Sequence, residues 1–155
     1  MSQNKSLALL SMLAVALLLS AVKIARAQDD DSMTLAVVER ATTDVVTDTG
    51  EKGDTVGDVL TFANEVFDQK NETMIGTDQG FCVRTVVGKA WECIWTLTLK
   101  EGQLTVEGPF YDASASTLAI TGGTGKYRKA SGQMNLKARD EKGTEYDFIY
   151  EIDLD

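Results

Sequence analysis

The sequence predicts an all-β domain, an eight-stranded antiparallel up-and-down barrel. Three observations lead there. After residue 32 no apolar stripe recurs at helical spacing, while apolar and polar residues alternate in short runs. Turn-forming residues punctuate those runs at short intervals, so neighbouring strands pair antiparallel. The chain carries 13 glycines against one proline, which suits many turns and uninterrupted strands.

Eight strands are expected, over 33–41, 57–68, 73–86, 90–99, 103–110, 116–121, 131–139 and 144–154. The last is the clearest. Tyr146, Phe148, Tyr150, Ile152 and Leu154 alternate with a mostly acidic set, Glu145, Asp147, Ile149, Glu151 and Asp153. Leu104, Val106 and Phe110 alternate with Gln103, Thr105 and Glu107, and Met134, Leu136 and Ala138 with Gln133, Asn135 and Lys137. Gly50 with Gly53, Asp68 to Asn71, Gly88, Glu101-Gly102, Asp112 to Ser114, Gly122 to Gly125 and Glu141 to Gly143 supply the turns. A closed barrel of eight strands can hold one small ligand, whereas the rival sandwich fills its core.

Residues 1–27 have the layout of a secretory signal peptide: Lys5, a 16-residue apolar run from Leu7 to Val22, and Ala25-Arg26-Ala27 as a cleavage site. An uncleaved anchor is the alternative, although the run is short of the roughly 20 residues a span needs. The expected organisation is a leader at 1–27, an acidic tail at 28–32 and a barrel domain over 33–155. Localisation would be secreted or periplasmic. The whole chain has 15 basic and 24 acidic residues, a formal charge of −9. The leader takes three of the bases and no acid, so the remainder is more acidic still. Such a chain repels nucleic acid and anionic membranes, so no nucleic-acid partner is expected.

No histidine is present, which removes Ser-His-Asp and Cys-His catalysis and histidine metal sites; no metal and no cofactor is expected. Gly122 to Tyr127 only superficially resembles a phosphate loop. Ile120 stands where the first glycine belongs, and Tyr127 where Ser or Thr must follow the lysine. Asn71-Glu72-Thr73 is a glycosylation sequon, relevant only in a eukaryotic secretory pathway.

Cys82 and Cys93 flank a hairpin turning near Val87-Gly88. If Val87 faces Gly88, the cysteines lie directly opposite, within disulfide reach. The alternatives are two buried thiols or a reactive one. Asn64 is the one polar member of the face carrying Leu60, Phe62 and Val66, and Glu39 shares a face with Leu35 and Val37. Each must find a partner or a ligand, and an inward Glu39 would have a raised pKa, as general acid–base work requires. Arg84 alternates with Cys82; it could meet Glu39 or a ligand carboxylate, or face solvent.

Several stretches carry a family resemblance. Gly57 to Asp68, Ile75 to Val83, Gly102 to Phe110 and Leu118 to Gln133 resemble, in order and spacing, segments of plant allene oxide cyclases. The glycine-rich part with Arg128 and Gly132 also resembles dirigent proteins. The resemblance implies an eight-stranded barrel, usually a homotrimer, with an apolar cavity that holds a small apolar molecule and steers its cyclisation. It assigns Glu39 and Asn64 as catalytic, Asn64 through a bound water. It makes Cys82 a cavity residue and puts Phe110 at the pocket in place of a tyrosine; strand parity, not the resemblance, adds Phe62 and Arg84 as pocket candidates. Ala41 stands where the cyclases have a second asparagine, and Thr47-Asp48 near their Ser-Pro pair. The implied activity is that of a cyclase or isomerase, the alternative a non-catalytic dirigent-like, carrier or structural barrel.

Overall fold

The computed structural model describes residues 31–155; the expected leader at 1–27 and the first three residues of the expected tail lie outside them. Nine strands form one antiparallel sheet: β1 (Ser32–Arg40), β2 (Val45–Thr47), β3 (Val59–Asp68), β4 (Met74–Val86), β5 (Ala90–Leu99), β6 (Gly102–Tyr111), β7 (Ser116–Gly123), β8 (Ser131–Ala138) and β9 (Glu145–Asp153). The order runs β1-β9-β8-β7-β6-β5-β4-β3, and β1 then pairs with β3, which closes the barrel and excludes the sandwich. The eight long strands match the expected ones to within two residues at each end.

β2 is the addition. Val45–Thr47 pairs with Val59–Thr61 of β3, along the same edge on which β1 pairs with Glu65–Asp68. It therefore continues the line of β1 after a break at residues 41–44. All three of its residues are exposed, so it carries no buried face that alternation could reveal.

Alternation sets the inside. Trp91, Cys93, Trp95 and Leu97 of β5 point inward, as do Phe148, Tyr150 and Ile152 of β9, all buried. They pack with Leu104, Val106, Leu118 and Met134 into one core. One barrel end, where Gly125–Tyr127 makes a single 3-10 turn, is stopped by the buried Tyr127 and Ala130. The other end carries the long 48–58 segment and the β4–β5, β6–β7 and β8–β9 turns, and the interior is hollow on that side.

The cysteines pair as the hairpin register required. Cys82 lies opposite Cys93 with Cα atoms 4.0 Å apart, and the two form a disulfide. The turn itself differs from the expected one. A bulge between Arg84 and Val86 shifts the register, so that Val86 faces Ala90, and Gly88 takes φ 64°, a left-handed conformation glycine adopts freely.

Candidate functional site

The hollow end contains two adjoining cavities. The inner one, of about 40 Å³, is walled by the Cys82–Cys93 disulfide, Phe62, Trp95 and Leu60, with Glu39 as its buried acid. Phe62 meets Trp95 edge to face, with centroids 5.9 Å apart. The outer one, of about 290 Å³, lies among the β6–β7 and β8–β9 turns. Phe110, Leu136 and Tyr146 line both, and the Phe110 and Tyr146 rings pack edge to face at 6.0 Å. These three side chains border both spaces. The inner space has room for about one water, while the outer approaches the low end of the ~300–1,000 Å³ typical of ligand sites.

Glu39 ends the inward face of β1 and is 6% exposed. Just after it the chain breaks from the β1 line, and Asn64 of β3, 1% exposed, repairs the break. The Asn64 Oδ1 accepts from the backbone N–H of Thr42 at 3.1 Å, from that of Thr43 at 3.0 Å and from the Thr43 hydroxyl at 2.9 Å. Its Nδ2 donates to Glu39 Oε1 and to Asp44 Oδ1, each at 2.8 Å. Sequence reasoning gave Asn64 a direct hold on water or a substrate oxygen. Its carbonyl and both amide hydrogens are instead engaged by the fold, so it acts on the cavity through Glu39.

Asp78 of β4 sits directly across from Asn64 and is 1% exposed. Burial holds the Glu39 carboxyl well above the usual carboxylate range, the Asp78 and Asp44 charges push the same way, and the Asn64 amide opposes them. Burial likewise pushes Asp78 up to about 7. Asn64, whose amide donates to Glu39, lies across the strand pair from Asp78, so the two acids flank one amide inside the barrel. Burial also raises Tyr146 to about 12, so its hydroxyl stays a donor at neutral pH. Among the described residues, no lysine or arginine lines the inner cavity.

Of the residues singled out from sequence, Glu39, Phe62, Phe110, Cys82 and Cys93 meet at this cavity. Arg84 does not. It is buried at the same barrel end, its Nε 2.6 Å from Asp54 Oδ1 and its Nη1 2.8 Å from both Asp112 oxygens, with its guanidinium 3.9 Å over the Trp91 ring. It anchors the 48–58 segment and the β6–β7 turn, and the bulge beside it turns its strand end toward them. Sequence reasoning missed Asp44, Asp78, Trp95, Leu136 and Tyr146. Asp78 was within reach, because it shares strand parity with the inward Cys82.

Residues 34–150 match the allene oxide cyclase barrel-like domain, and the chain belongs to that family. Among solved structures it is similar to a pyocyanin demethylase, at 24% identity over 76% of this chain and 100% of that one, with a TM-score of 0.66. It is similar to a pterocarpan synthase dirigent protein, at 17% identity over 81% and 95% of the two chains, TM-score 0.66. A Diels-Alderase from Streptomyces koyangensis matches at 14% identity over 97% and 81%, TM-score 0.62. At these identities the likenesses establish the fold.

Proposed function

We propose that the barrel holds a small apolar molecule beside the Phe110–Tyr146 pair, its reactive end against Glu39, and steers a ring-closing or isomerising step in the manner of a cyclase or dirigent-type catalyst. The observation that carries this reading is a buried carboxyl, its pKa held up by burial, set in an aromatic-walled cavity beside an open vestibule. Glu39 delivers its proton to the oxygen on which charge develops, and recovers a proton when the product forms, so the cycle is proton-neutral. Phe62, Trp95 and Phe110 restrict the conformation of the bound molecule and keep water away.

A second reading has its own support. An inner cavity of about 40 Å³ also suits a barrel filled by its own side chains that works as a carrier or structural module. Secretion through the 1–27 segment and assembly as a homotrimer belong to the proposal as well, the first supported by the leader pattern, the second by the family resemblance.

The test is Glu39→Gln, which keeps an acceptor for Asn64. Wild type and variant are incubated with fatty-acid epoxides and phenylpropanoid phenols, and binding, turnover and product stereochemistry are measured. The catalytic reading expects binding retained and turnover lost by ~10²–10⁴-fold. Equal turnover in the variant removes Glu39 from the chemistry, and binding of no member of the panel favours the filled barrel.

A further inference from the structure

The cavity is lopsided in charge, a property the proposed step does not use. Glu39 and Asp44 line the inner space, and among the described residues no lysine or arginine joins them. The Asn64 amide donates to one oxygen of each acid at 2.8 Å, which spends both its hydrogens. The second oxygen of each acid meets no donor among the described residues. Glu39 is 6% exposed, so its donor has to come from within the barrel; Asp44 is exposed, on the solvent side of the cavity. The outer space continues the imbalance, with Asp112, Asp140 and Glu141 against one base, Lys137. Arg84 answers Asp112, and Thr144 and backbone N–H groups hold the Asp140 carboxyl below its usual range. A cleft of one sign with apolar walls concentrates its field on whatever enters. Those walls are aromatic: Phe62, Trp95, Phe110 and Tyr146. Ring faces attract cations as carboxylates do.

We infer that the cavity selects its ligand by charge and takes an apolar amine in its protonated form, with Asp44 as the residue that sets the preference. The ammonium head lies by Asp44 and Glu39 among the ring faces, and the apolar body fills the outer space. Size supports this division. The inner space of about 40 Å³ has room for about one water, which is also the size of an ammonium head. The outer space of about 290 Å³ accommodates the body. Hydrogen bonding supports it too: an ammonium has three donors and no acceptor, the complement of a wall with two spare carboxyl oxygens. Glu39 offers an acceptor oxygen whether or not it holds a proton, so its role as donor elsewhere in the cycle stands. A carboxylate-bearing ligand meets repulsion and brings acceptors to a site already rich in them. This deepens the proposed function by naming the ligand class, and it rests on that function only in placing a small molecule at this cavity.

The test uses three probes of nearly one size and shape: benzylammonium, benzyl alcohol and benzoate. Their affinities for the full chain are measured by calorimetry at neutral pH. Benzylammonium should bind about tenfold more tightly than benzyl alcohol, and benzoate more weakly than either. Rising salt should narrow the spread. Asp44→Asn keeps an acceptor for Asn64 and removes the charge, so it should erase most of the preference for benzylammonium and leave benzyl alcohol where it was. The same variant assigns the binding to this cavity, because it leaves the acids on the outer face of β9 untouched. Equal affinity for all three probes overturns the inference and leaves the catalytic reading standing. So does a preference that Asp44→Asn does not change. Binding of none of the three removes the small molecule from this cavity, and the catalytic reading falls together with the inference. The wild-type series and its salt dependence decide the matter even if the variant fails to fold.

Discussion

The buried acids make the stability of this barrel depend on pH in an unusual direction. Asp78 titrates near 7 in the folded chain against an ordinary 3.8. Between those values the native state holds a proton that the unfolded chain has released, so unfolding gains free energy with every step up in pH. The contribution of Asp78 is therefore full below about pH 4 and is lost as pH rises through 7. Three units at 1.36 kcal/mol each give about 4 kcal/mol, and relaxation around the buried charge brings the expectation to ~2–4 kcal/mol. Glu39, raised by burial first and by its acidic neighbours next, acts in the same direction. Asp58, Asp68 and Asp140 have lowered carboxyls, held mainly by backbone N–H or threonine hydrogen bonds. Their contribution is lost only as pH falls through their folded values, so the optimum lies at about pH 4–5. The assay is thermal melting from pH 4 to pH 9 in high salt, which screens surface repulsion. Asp78→Asn is the comparator, since its side chain has the same shape and no titration. Between pH 5 and pH 8 the wild-type Tm should fall relative to the variant by roughly 10 °C for a domain of this size. A constant difference between the two proteins across that range would refute the reasoning.

Other expectations follow from single residues. Reducing the Cys82–Cys93 bridge, which closes a separation of 11 residues, should cost about 2–3 kcal/mol and lower Tm by roughly 10 °C; melts with and without reductant check it, and coincident curves would contradict it. Gly80→Ala would place a Cβ 2.3 Å from the Trp95 Cβ, costing ~1–3 kcal/mol and moving the indole that walls the inner cavity; unchanged tryptophan emission and Tm would show the space is not needed. Asn71 accepts from Arg40 Nε, donates to Glu145 Oε1 and holds φ 61°, so Asn71→Ala should destabilise by ~1–2 kcal/mol and Asn71→Gly by less, because glycine tolerates the backbone. A denaturant midpoint that ranks the two the other way would remove the backbone argument.

The residues that were legible in the sequence and those that were not differ in a physical way. Strand alternation carries the inside–outside assignment, so the eight long strands, the Cys82–Cys93 pairing and the inward course of Glu39, Phe62 and Phe110 could all be read from parity. Parity says nothing about which inward residues meet across the barrel. That depends on shear and closure, and it decides that Arg84 lies with Asp54 and Asp112 while Asp78 lies across from Asn64, the amide that holds Glu39. The break after Glu39 was invisible for another reason. Thr42, Thr43 and the exposed β2 carry no hydrophobic pattern, and what stabilises them is one distant amide, Asn64, whose polarity on an apolar face was the signal available. That signal pointed to a ligand because a lone buried amide needs partners; the partners proved to be the backbone of the chain's own break and the acid beside it. The same logic, applied to every inward polar residue and not only to those with a family counterpart, marks Asp78. An acid on a face shared with Cys82 has to keep its proton or find a partner inside the barrel, and the register sets it opposite Asn64, the same amide that holds Glu39.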